Sequence, residues 1–231
     1  MATGLFLTLS LTAQTVKTDQ NWSDTITSQG VFDRLFIEFG GGTQILFSQD
    51  ADELKTAQRF TPHFSLSAGT WFSPNWGAGL LVEGTSLNGF TDIGSSVAGS
   101  YFEDDPVRQY VTIRPDGNYR HYIRYTDASI LVFASLFNLL AEDNKLHRFN
   151  VIPSAGIGWM HVFSYKGIPE NNVLTYRLGL SATFGITPGL SLALKGSGLL
   201  APNDFEGRDA GSATFDKIGS FDIGLIWNLK H

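Results

Sequence analysis

The sequence predicts an all-β chain, an eight-stranded antiparallel up-and-down transmembrane β-barrel. Three observations lead there. Eight stretches alternate apolar with small or polar residues at period two, which places the two kinds of side chain on opposite faces of a strand. The links between them are alternately short and long, so that short turns gather at one rim and long loops at the other. Only 16% of the 231 residues are charged, against about 25% in typical soluble domains, whereas 25 are glycine and 13% are aromatic.

In chain order, residues 1–14 hold a short apolar core, Leu5 to Leu11, before small residues near Ala13. This resembles the end of a secretory signal, without the usual basic start. A polar periplasmic segment is expected over 15–29 and the barrel over 30–231. The first strand, Arg34 to Ser48, sets Leu35, Ile37, Phe39, Ile45 and Phe47 against Glu38, Gly40, Gly42 and Gln44. A polar loop, Gln49 to Gln58, leads to the clearest strand, Phe60 to Phe72, with Phe64 and Leu66 opposite His63 and Ser65. Ser73-Pro74-Asn75 suits a tight turn. The third strand opposes Trp76, Leu80 and Val82 to Gly77, Gly79 and Glu83, and the longest connection, Asn88 to Asn118, follows. The fourth strand is expected from Tyr119 to Phe137, although the nearly continuous apolar run Ser129 to Leu140 also suits a buried helix. After a polar turn at Ala141 to Lys145, the fifth strand runs from Arg148 to Phe163. A loop from Gly167 to Asn172 precedes the sixth, in which Leu174, Tyr176, Leu178 and Phe184 face away from Thr175 and Arg177. Thr187-Pro188-Gly189 turns into the seventh, Leu190 to Leu200. The loop Ala201 to Thr214 leads to the eighth, where Phe221, Ile223, Leu225 and Trp227 oppose Ser220, Asp222 and Gly224.

A soluble barrel also alternates, so the nature of the polar face decides which way it points. In water that face would be rich in Lys, Glu and Thr. Here it is mostly Gly, Ser, Ala and Thr, which suits a crowded interior. Its isolated charges are complementary: Glu38, Glu83, Asp127 and Asp222 against Arg177 and Lys195. A lone buried charge is costly, so Glu38 and Glu83 are expected to pair with Lys195 and Arg177 across a closed polar lumen. Phe72, Trp76, Phe184 and Trp227 near the turns, and Phe47, Phe60, Trp159 and Tyr176 near the loops, form two candidate aromatic belts. No apolar run approaches the roughly 18 residues of a membrane helix.

Net charge is −6 without a basic run, which argues against nucleic acid as a partner. With no cysteine there is neither a disulfide framework nor a thiolate metal site. His63 and Ser65 share a strand face, the pattern of certain lipid-deacylating barrels. Nucleophilic chemistry would also need an orienting acid and an oxyanion hole, and Glu83 lies at the wrong spacing, so satisfied lumen residues are the better reading. The acidic loop residues Asp50, Asp52, Glu53, Glu103, Asp104, Asp105, Asp204, Glu206 and Asp209 lack the spacing of a calcium loop and read as solvated. Gly40-Gly41-Gly42 lies within a strand, which favours close backbone approach over phosphate binding. Asn21-Trp22-Ser23 matches a glycosylation sequon, a short pattern of little weight by itself.

The segments Phe36 to Phe47, Arg59 to Pro74 and Phe149 to Gly158 resemble the barrel half of OmpA-like outer-membrane proteins, and the likeness extends from Gly30 to the end. The resemblance implies the outer membrane of a Gram-negative bacterium, insertion by the outer-membrane assembly machinery, and a mainly structural or surface role without catalysis, metal or cofactor. It also implies contact with outer-membrane lipid and lipopolysaccharide, and with other envelope proteins. Many relatives continue into a peptidoglycan-binding domain that these residues do not contain, and in place of a terminal aromatic, Trp227 or Leu229 would serve as the assembly signal. The loop residues Tyr101, Phe102 and Arg108 are the expected surface contacts. A role as accessory subunit of an envelope complex is the main alternative, and a lipid-modifying enzyme the remote one.

Overall fold

The structure, a computed structural model, describes residues 35–47, 56–91, 96–141, 147–209 and 214–229. The signal-like and periplasmic segments, Asn21, Asp50, Asp52 and Glu53 lie outside them. The elements are β1 (Leu35–Phe47), a helical turn α1 (Thr56–Arg59), β2 (Phe60–Trp71), β3 (Trp76–Thr91), β4 (Ser96–Val97), β5 (Tyr119–Ala134), α2 (Leu136–Ala141), β6 (Phe149–Phe163), β7 (Asn171–Thr187), β8 (Leu190–Pro202), β9 (Arg208–Asp209) and β10 (Phe215–Asn228). Eight strands close into an antiparallel barrel in the order β1-β10-β8-β7-β6-β5-β3-β2, and β4 pairs with β9 in a small sheet among the loops. Closure leaves the barrel no free edge, the condition for β-structure in hydrocarbon.

Alternation in sequence becomes alternation in space. In β2, Thr61, His63, Ser65, Ser67 and Gly69 are buried, and Phe60, Pro62, Phe64, Leu66 and Ala68 are exposed. At mid-barrel the outward side chains are large and apolar: Leu80 is 62% exposed, Ile130 66% and Leu178 67%. Such a surface all round a barrel would be a liability in water and is what a bilayer solvates. Both ends of the lumen are filled. Phe133 packs edge-on against Phe36 and Trp71 at the turn side, with ring centres 5.7 and 4.8 Å away. At the loop side Leu46, Leu87 and Ile123 meet Val107, Ile168 and Phe205, which arrive from the loops.

Four expectations need correction. The fourth strand ends at Ala134, and Leu136 opens α2, because the Ser135 hydroxyl accepts the Asn138 amide at 3.3 Å and its carbonyl accepts the Leu139 amide at 3.1 Å. The longest connection begins after Thr91, since β3 stays paired with β5 as far as Thr91 opposite Tyr119. It also carries β4 and two 3-10 turns, Phe102–Asp104 and Arg108–Tyr110. The first loop contains α1, and the last long loop is shortened by pairing of Phe215 with Pro202. Finally, Asp105 and Glu206 are buried rather than solvated, because Arg208 meets Asp105 and the His121 ring on β5 meets Glu206.

Candidate functional site

Two clusters of buried polar groups stand out, one at mid-lumen and one under the loops. At mid-lumen, Glu83 on β3 lies directly opposite Asp127 on β5. Two carboxylates so placed repel each other unless a cation joins them. Arg177 from β7 does so: its guanidinium bonds Glu83, lies 3.5 Å from Asp127 and donates to Ser197 at 3.1 Å. Asp127 also accepts from Ser129 and, at 2.5 Å, from Thr175. On the far side of Glu83, at 3.4 Å, stands His63, whose Nδ1 meets Asp222 at 2.7 Å.

Inward glycines open the paths for these bonds. His63, Gly42 and Asp222 form one row across β2, β1 and β10, so the histidine reaches the carboxylate over a residue with no side chain. A Cβ on Gly42 would fall 1.9 Å from the Phe221 carbonyl and 2.7 Å from Asp222 Oδ1. Lys195 is the register partner of Asp222, yet its ammonium meets Glu38 at 3.0 Å, in a gap bordered by Gly40 and Gly224. Ser67 completes Glu38 at 3.3 Å. Above the network the Tyr125 hydroxyl donates to Gln44 at 2.5 Å, and the Gln44 amide donates to Thr85 and the Ser86 carbonyl.

The second cluster ties the loops to the barrel mouth. Asp105 receives the Tyr119 hydroxyl at 2.5 Å and Arg208 at 2.7 Å, and its other oxygen accepts the Val107 amide at 2.9 Å. Glu206 meets His121 at 2.7 Å, and His121 also contacts Thr91 at 3.0 Å. Burial pushes the Glu206 pKa upward, but the facing His121 ring and then Arg208 outweigh it and hold the carboxyl below its ordinary value. Arg208 is itself held above its usual value: burial works against its charge, and Glu206 and Asp105 prevail.

The structure thus brings Glu38 to Lys195, and Glu83, Asp127 and Asp222 into one network with Arg177 and His63. Of the three loop residues, Tyr101 is 83% exposed. Phe102 is half-buried, stacked 6.3 Å from Tyr119, and Arg108 lies 4.5 Å over the Phe102 ring and donates to its carbonyl. His63 acts as a bridge between Glu83 and Asp222, a role its face revealed but its register alone could assign. Arg208, Glu206, His121 and Tyr119 were not singled out as a site in sequence, because they come from separate loops and strand ends with no shared spacing. The Ser65 hydroxyl makes no hydrogen bond to His63. Among the described residues no group of three or more His, Asp or Glu is placed to hold a metal ion.

No family model matches the chain. It is similar to outer membrane protein 40 of Porphyromonas gingivalis, with 23% identity over 98% of this chain and 55% of that protein. The chain therefore spans about half the length of that relative. Among solved structures it is similar to Neisserial surface protein A, with 7% identity, 84% of this chain and 97% of that one covered, and a TM-score of 0.50. It is also similar to the N-terminal β-barrel domain of Pseudomonas aeruginosa OprF, with 8% identity, 83% and 97% covered, and a TM-score of 0.44. A closed eight-strand barrel with an apolar exterior now meets a matching fold. The chain is an outer-membrane β-barrel. The short turns of this outer-membrane barrel, Ser73 to Asn75 and Pro188 to Gly189, lie at one rim and its long loops at the other.

Proposed function

We propose that this barrel is OmpA-like and serves a structural or surface-interaction role, with a closed polar lumen and no catalysis. One observation carries the reading. Aromatic side chains occupy the barrel interior at the turn end, the ion-pair network its middle and the apolar loop cap its mouth. A filled lumen gives a substrate no way in, and a protein of this kind acts through its surfaces. The exposed Tyr101 and Tyr110 on the long loop are the first candidates for a partner, which would be another envelope protein, and the assembly machinery would be met during insertion. A photo-crosslinker placed at Tyr101 in intact cells tests this. A discrete crosslinked envelope protein supports the reading, and a stoichiometric one recovered from solubilised membranes favours an accessory subunit. Lipid A profiles should not change on deleting the gene. Loss of an acyl-chain modification, restored by the wild type and not by His63→Ala, would overturn the non-enzymatic reading.

A further inference from the structure

Charge on the barrel wall is segregated. The barrel-strand carboxylates Glu38, Glu83, Asp127, Asp216 and Asp222 are buried. The charged side chains on the outer face are Arg120, Arg124 and Lys217, all in the loop-side parts of their strands. Arg124 lies 3.6 Å from the centre of the Tyr165 ring, and Lys166 Nζ lies 5.4 Å from the same centre. Two cations therefore share one ring, and among the described residues no carboxylate pairs with either. Lys166 is held there by its backbone. Tyr165 and Ile168 exchange two hydrogen bonds of 3.1 Å, and the residues between them have φ of 48° at Lys166 and 86° at Gly167. A two-residue turn of this kind favours Asn or Gly at its first central position, and a lysine there is strained.

A groove of about 640 Å³ opens in the outer wall beneath Arg124, lined by Phe64, Leu66, Val82, Gly84, Thr126 and Phe163. The register explains it. Phe64, Gly84 and Thr126 form one row across β2, β3 and β5, and Gly84 leaves that row without a side chain at its centre. Gly84 has φ of 152°, and a Cβ there would fall 2.3 Å from the Tyr125 carbonyl, so the gap is fixed by the backbone.

We propose that this wall binds one phosphorylated lipid of the outer leaflet, its phosphate between Arg124 and Lys166 and an acyl chain lying over Gly84. The two halves of the site require both halves of the ligand. A neutral lipid would fill the groove and leave two cations unneutralised, and a free phosphate would neutralise them and leave the groove to bulk lipid. Tyr165 and Phe163 supply the aromatic wall that suits the headgroup boundary.

The test uses the full chain, folded in detergent and offered lipid A, lipid A stripped of its phosphates, or inorganic phosphate, with retention read by native mass spectrometry. The wild type should retain phosphorylated lipid A and not the stripped form. Arg124→Glu with Lys166→Glu should lower retention by roughly tenfold or more, since each basic residue near an anionic headgroup is worth several-fold in binding. Thr126→Trp, which fills the groove and keeps both cations, should also lower it. Lys217→Glu, an outward cation elsewhere on the wall, should leave it unchanged. Heat-modifiable gel mobility verifies folding, and Arg124→Gln with Lys166→Gln carries the same test if charge reversal prevents it. Equal retention by the double variant, equal binding of the stripped lipid, an equal loss in Lys217→Glu, or displacement by equimolar inorganic phosphate would each overturn the proposal.

Discussion

Arg177 shows what a single side chain does in this lumen. It neutralises Glu83 and Asp127 together and is almost wholly buried. Removing it leaves two facing carboxylates without their cation, so Arg177→Met is expected to cost about 3–5 kcal/mol in urea unfolding followed by tryptophan fluorescence. The Glu38–Lys195 pair offers the sharper comparison. Lys195→Met strands Glu38 with only Ser67, whereas Lys195→Met combined with Glu38→Leu strands nothing. The double variant is expected to be more stable than the single one, and strictly additive losses in the double-mutant cycle would contradict the pairing. Sign and strand face narrow the partners of Glu38 and Glu83 to Lys195 and Arg177 in sequence, and which cation meets which carboxylate is set by register. They did not suffice for His63 and Asp222, whose contact depends on Gly42 falling between them, and that is a matter of register.

At the scale of elements, strands were more legible than loops. The alternation of β2 reads directly into its burial pattern because each side chain needs only its own strand to decide its face. The end of β5 was not legible: Ser135 turns the chain into α2 through its own hydroxyl and carbonyl, and the apolar run on either side suits both structures. Loop residues were least legible, since Asp105, Glu206 and Arg208 acquire partners only when two loops converge on the start of β5. That convergence predicts a pH dependence. The Glu206 carboxyl titrates below its unfolded value, so its contribution to cap stability is present above the unfolded pKa and is lost as pH falls through the lower folded one. The loops should therefore stay protected from proteolysis near neutrality and open at pH well below about 4. Glu206→Gln should flatten that profile, and an unchanged profile would show that the cap rests on other contacts. The outer face makes an opposite demand. Leu80→Arg, near mid-barrel on the lipid side, is expected to cost about 2–4 kcal/mol, whereas an added arginine beside Arg120 at the loop rim should cost about 0–1 kcal/mol.

For the molecule as a whole, the closed barrel, the apolar exterior and the inward ion pairs are one solution. An outward face without charge at mid-strand satisfies the bilayer, and the inward charges that remain must then satisfy one another. The proposed closed lumen predicts that purified protein in planar bilayers gives no steady conductance, and a stable open channel of porin size would contradict it. The orientation of that solution is open to one direct measurement, helped by a chain that has no cysteine of its own. Single cysteines introduced by Tyr101→Cys on the long loop and by Leu80→Cys, Ile130→Cys and Leu178→Cys on the wall would be exposed to a membrane-impermeant thiol reagent on intact cells. The Tyr101 variant should label readily, and the three wall variants should label only after the membrane is dissolved. Wall positions that label as fast as Tyr101 in intact cells would contradict a lipid-facing exterior, and with it the outer-membrane barrel.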